Sequence, residues 1–163
     1  MNVLKATSQT ITRPADITAY ASGDLVANST TNTEVTPFAF RAGKSRGIKL
    51  WRVALAKSAA SVTNATFRVH LYGNSPTVAN GDNGAISSTA SAYVGFVDLA
   101  APATAFSDTF VSNGIFTNNS LQAPLYFLSD SDGYIYGLLE ARGAYTPASA
   151  ETFALTLFGE SYS

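Results

Sequence analysis

The chain has 163 residues, no cysteine, 46% apolar and only 13% charged residues, and a formal net charge of −1. One domain is expected at this length, and such a chain buries roughly 70% of its unfolded surface, enough for a core without staples. The composition excludes disulfides, thiolate chemistry and cysteine-ligated metal; it argues against nucleic acid as the main partner and leaves no run of about 18 apolar residues to cross a membrane.

From the N-terminus, Met1–Thr7 is too short and too polar to read as a secretory signal. Pro14 fixes its own φ and biases Arg13 toward extended backbone, Asp16 is placed to bond backbone two residues on, and Ser22-Gly23-Asp24 signals a second turn before the apolar run that starts at Leu25. The expectation is an extended N-terminal arm over residues 1–20, followed by a β-domain over 21–163.

Strand signals then dominate. Residues 48–57 form one long run, in which Trp51, Val53 and Leu55 share one face and Ile48, Leu50 and Arg52 the other. Residues 66–72 alternate, with Phe67, Val69 and Leu71 opposed to Arg68, His70 and Tyr72. Residues 152–158 do the same, with Phe153, Leu155 and Leu157 inward. Weaker strands fit 36–41, 92–99, 125–128 and 134–141. Turns are spelled by Ala42–Gly47, Tyr72–Pro76, Asn80–Gly84, Asn113-Gly114 and Ser129–Gly133, the last read as a hairpin loop between two apolar runs. Helix signals are poor; a single turn fits at 58–61 or 100–103. About eight short strands with long connections near 74–91 and 100–123 indicate an all-β, single-domain β-sandwich, and suit a jelly roll.

Little in the chain reads as chemistry. His70, the one histidine, has no second ligand or nucleophile marked out for it and reads as a polar strand-face residue. Asp130-Ser131-Asp132-Gly133 resembles the start of a calcium loop, but the twelfth position is Ala141 and strand follows where helix should, so a turn is the better reading. No nucleophile elbow, Walker loop or dinucleotide fingerprint occurs, and no cofactor is implied. The Asn-x-Ser/Thr sequons at Asn28, Asn64 and Asn118 read as chance in an Asn/Ser/Thr-rich chain. One charge anomaly stands out. No acid falls between Glu34 and Asp82, whereas Arg41, Lys44, Arg46, Lys49, Arg52, Lys57 and Arg68 all do. Such a stretch suits an acidic protein surface, an acidic glycan or ordinary solvated strand edges.

The segment Thr12–Val26, read as T-R-P-A-D-x-T-A-Y-x-x-G-D-x-V, resembles a pattern found near the N-terminus of small β-rich head-decoration (cement) and accessory virion proteins of tailed bacteriophages. The resemblance implies a non-enzymatic protein on the outer surface of the capsid, assembled in the host bacterial cytoplasm. Its partners would be the major capsid protein and itself, as a homotrimer, with no nucleic acid and no membrane. A low-charge surface rich in small polar residues, inexpensive to desolvate, agrees with that role. Arg13, Pro14, Asp16 and Tyr20 in the arm, with Arg41, Lys44 and Arg46, are the expected contacts to capsid or neighbouring subunit. The alternative is a receptor- or glycan-binding module of a phage fibre or tail, with Tyr72, Tyr93, Tyr134, Tyr136 and Tyr145 as an aromatic platform. A glycan hydrolase is the third reading, without a recognisable nucleophile or metal set to support it.

Overall fold

The computed structural model describes residues 2–89, 92–100, 114–118 and 124–162. The protein is all-β, with antiparallel sheets and, among the described residues, a single 3₁₀ turn at Asn32–Glu34 in place of any α-helix. The strands are β1 (Asn2–Thr12), β2 (Leu25–Val26), β3 (Phe38–Arg41), β4 (Gly47–Lys57), β5 (Phe67–Tyr72), β6 (Thr77–Val78), β7 (Ser88–Thr89), β8 (Tyr93–Leu99), β9 (Gly114–Asn118), β10 (Leu125–Leu128), β11 (Tyr134–Ala141) and β12 (Thr152–Tyr162).

One sheet runs β1-β12-β4, with β10 and β9 sharing the far edge of β4. The other runs β8-β5-β11, with β3 and β2 sharing the far edge of β11. The pairings nest along the chain. β1 lies against β12, β2 and β3 against β11, β4 against β9 and β10, and β5 against β8. One hydrophobic cluster draws on both sheets: Leu50, Val53, Leu55, Phe153 and Leu155 from the first, Phe40, Phe67, Val69, Leu71 and Leu139 from the second. Alternation makes this possible. In β12 and β5 every second side chain points inward, as read from the sequence.

The stretch expected as an arm is, over Asn2–Thr12, an edge strand paired with β12. Loop 129–133 is a turn, but not a hairpin: β10 belongs to the first sheet and β11 to the second, so the turn carries the chain from one sheet to the other. Of the helical turns considered, 100–103 lies largely outside the described residues, and 58–61 is irregular.

β4 departs from simple alternation. Its register against β12 passes from Arg52 opposite Phe158 to Leu50 opposite Gly159, leaving Trp51 without a partner there. This β-bulge resets the phase. Ile48 and Leu50 therefore point inward together with Val53 and Leu55, while Trp51 is exposed and Arg52 lies over the Phe158 ring, 4.5 Å from its centroid. The expected division of that strand into two faces is corrected accordingly.

A second, smaller apolar cluster forms on the outer side of the second sheet. Leu25, Ala27, Tyr72 and Leu138 are buried there beneath Val35, Val78 and Ile86, so the excursions at 27–37 and 74–89 cover one half of that face. The main core sets the stability. Replacing Leu155 by alanine should lower unfolding free energy by about 2–5 kcal/mol in urea titration, with the slope unchanged.

Candidate functional site

Residues 13–26 connect the first sheet to the second, and nearly every distinctive residue of the motif has a bonding role in that crossing. Arg13 continues the inward phase of Ile11 and is fully buried. Its guanidinium donates to the Tyr20 hydroxyl (2.9 Å), to the Asp16 carbonyl oxygen (2.5 Å) and carboxylate (3.0 Å), and to the Asp82 carboxylate (3.0 Å). Tyr20 donates to Asp82 at 2.7 Å, and the Ala27 N–H donates to the same carboxylate at 2.8 Å. Asp16 also accepts from the Thr18 N–H (2.9 Å), the turn read from the sequence, and Asp24 accepts from the Ala21 N–H (2.6 Å). Gly23 sits at φ +101°, a conformation that glycine adopts without strain. Asp82 reaches Arg13 because its loop lies against the chain at Ser29 and Thr30: a Cβ on Gly81 would overlap the Thr30 carbonyl.

A second buried ion pair stands next to the first. Lys57 donates to Glu151 (3.2 Å), to the Tyr145 hydroxyl (2.9 Å) and to the Ala59 carbonyl (2.5 Å), and Tyr145 donates to Glu151 at 2.7–2.8 Å. Burial holds the Lys57 ammonium below its usual pKa, against the opposing pull of Glu151. The two networks are stitched by backbone, Arg13 N–H to the Glu151 carbonyl (3.0 Å) and Tyr20 N–H to the Tyr145 carbonyl (2.9 Å). Tyr145, expected in a glycan platform, is therefore a core residue.

These positions bear on the expected contact residues. Arg13 and Tyr20 are buried and their polar atoms are used inside the chain, whereas Pro14 and Asp16 are half-buried. Arg41 and Lys44 are exposed and Arg46 is half-buried, all on or beside the loop that follows β3. That loop is fixed from below. The Ser129 hydroxyl donates to the Gly43 carbonyl (2.6 Å) and accepts from the Arg46 N–H (2.9 Å), and the Ala42 N–H donates to Gly133 (2.7 Å). The remaining cations of the basic stretch scatter: Lys49 and Arg52 on the outside of the first sheet, Lys57 in the core, Arg68 on the outside of the second. Asp130 is a turn residue. Its carboxylate accepts from the N–H groups of Asp132 (3.0 Å) and Tyr134 (2.7 Å) and from the Tyr136 hydroxyl (2.8 Å), which pushes the Tyr136 phenol up to about 12, burial being the larger cause. Among the described residues no group of three or more histidines and acids is placed to hold a metal.

The uncovered half of the second sheet's outer face is the most elaborated surface. On that face registers place Tyr136, Tyr72 and Tyr93 in one row, Leu138, His70 and Phe96 in the next, and Glu140, Arg68 and Asp98 in the third, with Tyr72 and Leu138 already beneath the covering excursions. His70 hydrogen-bonds Glu140 at 2.7 Å and Tyr93 at 3.2 Å. Arg142 donates to the other Glu140 oxygen at 2.7 Å. Arg68 grips Asp98 through two bonds (2.6 and 3.0 Å) and lies 3.8 Å from the centroid of the Phe96 ring. The Arg68 hydrogen bonds hold the Asp98 carboxyl below its usual range. For Glu140, burial acts the other way but is outweighed by His70 and Arg142, so it too is held low. A pocket of about 280 Å³ opens beside these groups, lined by His70, Tyr72, Ile86, Ser88 and Tyr93. The sequence marked His70 and the tyrosines but not Glu140 or Ser88; their signal, registration against β5 and across the excursion, exists only once strands are paired.

The chain matches no protein-family model and no curated protein.

Two outcomes test the buried network. Asp82→Ala leaves the Arg13 guanidinium buried without its fully buried counter-charge and should lower stability by about 3–5 kcal/mol in urea titration. Tyr20 governs the alkaline limb. Burial, and then Asp82, push its phenol well above the ordinary value of 10.0. A folded-state pKa raised above the unfolded one gives stability that is intact below about pH 10 and lost as pH rises further. Tyr20→Phe should therefore be less stable at neutral pH yet show a shallower fall above about pH 10, read by urea midpoints across that range.

Proposed function

We propose that this protein is a non-enzymatic head-decoration protein of a tailed bacteriophage, a jelly-roll sandwich that binds the outer surface of the capsid and stabilises the shell against the packaged DNA. The nested pairing of strands, first with last and inward to β5 with β8, supports the jelly roll: it is the order obtained by winding one long antiparallel ribbon into two facing sheets.

The observation that carries the functional reading is the bonding of the motif. Arg13, Asp16, Tyr20 and Asp24 each hold the crossing between the two sheets. Chains that spell this segment alike would need the same crossing, so the resemblance concerns a fold-defining unit rather than a passing surface feature. The proposed virion location and homotrimer follow from the family the motif resembles; closed cyclic symmetry is a common oligomer solution. The major capsid protein is the proposed partner.

With Arg13 and Tyr20 inside, the proposal moves capsid contact to Arg41, Lys44 and Arg46, a basic loop braced by Ser129 and suited to an acidic shell surface. The test is co-sedimentation with heads of the source phage that lack this protein. Saturable binding, with added resistance of the heads to heat, is expected. Arg41→Ser, Lys44→Ser and Arg46→Ser combined should weaken that binding and flatten its salt dependence while leaving the urea midpoint unchanged. Wild-type protein that binds whole host cells and not heads would instead favour a receptor-binding module.

A further inference from the structure

We propose that the outer face of the second sheet is a binding site for a neutral saccharide, centred on the pocket between Tyr93, His70 and Ser88 and extended over Phe96. This goes beyond capsid binding and does not rest on it, since Arg41, Lys44 and Arg46 are not among the residues that line the pocket.

Two aromatic rings are offered to solvent there: Tyr93 is 50% exposed and Phe96 47%. Both rings adjoin His70, with centroids 5.9 and 6.3 Å from it, and Arg68 lies over one face of Phe96; the exposed parts of the two rings offer apolar surface against which the C–H face of a sugar ring can pack. Beside them the pocket carries hydroxyl and imidazole groups in a fixed order. Tyr72 and Ser88 hydroxyls are bonded to each other at 2.8 Å, and His70 is bonded to Tyr93 at 3.2 Å and to Glu140 at 2.7 Å. Burial, the largest cause for both, raises the Tyr72 and Tyr93 phenols, so both hydroxyls stay neutral and can donate and accept. The positions are held by backbone. His70 and Tyr72 stand on β5, the second strand of its sheet, and Tyr93 on β8 beside it. Gly95, at φ +147°, accompanies the bulge that turns Tyr93 toward Tyr72, with their rings 5.3 Å apart.

Charge selects the ligand. The cations beside the pocket are engaged: Arg68 is held by both oxygens of Asp98 and stacked on Phe96, and Arg142 is bonded to Glu140, whereas the exposed Arg41 stands on the same side of the sheet opposite Tyr134 and outside the pocket lining. A phosphate or nucleic-acid backbone needs open positive charge, and the pocket's lining residues include no lysine or arginine. An apolar peptide side chain would cover the pocket's hydroxyls without bonding their spare valences, at a desolvation cost. A sugar meets both demands, with an apolar ring face for Tyr93 and Phe96 and hydroxyls for the spare valences of Ser88, Tyr72 and Tyr93, the last oriented by His70. The pocket volume, about 280 Å³, lies near the lower end for ligand sites and suits one ring of a longer chain lying across the sheet.

The test is a titration of the isotopically labelled full chain, followed by amide NMR, with methyl glucoside, methyl galactoside, methyl mannoside and N-acetylglucosamine as probes and glucose 6-phosphate as the charged comparator. Saturable shifts confined to residues around β5 and β8 are expected with at least one neutral sugar. Tyr93→Ala should weaken that binding by about tenfold or more, and Ser88→Ala should weaken it with the fold intact by its spectrum. Tyr93→Phe, which keeps the ring and removes the hydroxyl, should bind with intermediate strength and guards against a loss of affinity caused by unfolding. The inference is overturned if none of the neutral sugars shifts these amides, if Tyr93→Ala and Ser88→Ala both bind as the wild type does, or if only the phosphorylated sugar binds. Because the readout uses the isolated protein, failure here leaves head binding untouched, and failure to bind heads leaves this result standing.

Discussion

The guanidinium of Arg13 is the group on which the arrangement of this protein turns. It is a permanent charge in a site without solvent, reached by a strand that belongs to one sheet and neutralised by Asp82, whose loop lies on the other. Such a charge is tolerated only when its counter-ion and donors are all in place. Asp82, Tyr20 and Asp16 must therefore assemble together, and with them the turn at residues 16–18, the loop at 80–84 and the start of β2. The planar fork of an arginine, bonded in several directions, leaves little room for an alternative register.

The adjoining Lys57–Glu151 pair extends the same logic. Together the two pairs form a polar belt from Asp82 through Arg13, Tyr20, Tyr145 and Glu151 to Lys57, closed by backbone bonds. Phe67 packs edge-on to both Tyr145 and Phe153, so the belt is set directly against the apolar core. The buried polar network and the proposed binding surfaces then fall to different parts of the molecule. Arg13, Tyr20 and Asp82 are internal, while the open half of the second sheet and the basic loop face outward on a frame that is fixed behind them.

Much of this frame was legible in the sequence. β5, β11 and β12 declare themselves by period-two alternation or a dense apolar run, and the turns by their glycines and acids. Failures have specific causes. β1 is rich in Thr, Ser and Gln and carries no strong apolar alternation, so it read as an arm. Trp51 hid a bulge, because an extra residue in a strand leaves no mark in composition and reverses the faces beyond it. Lys57 read as a solvated cation although it stands in phase with Val53 and Leu55, and Arg13 stands in phase with Ile11; charge masked a positional signal that was present. The partners Asp82 and Glu151 lie far along the chain from the residues they neutralise, and no local pattern announces such a pairing. The pocket on the second sheet was half legible: its aromatic and imidazole groups were noticed, but their convergence depends on register.

The nesting of β1 against β12 also has a bearing on how the chain is made. Asn2 faces Ser161 and Thr12 faces Thr152, so β1 leaves the ribosome well before the strand it pairs with, about 150 residues further along. At synthesis rates of about 5–20 residues per second that interval is long compared with the closing of local loops. Until β12 arrives, β1 has no neighbour and one edge of β4 lies open, two unsatisfied borders of the kind that join chains together wrongly. β12 pairs with β1 on one side and β4 on the other, so its arrival closes both borders in a single step.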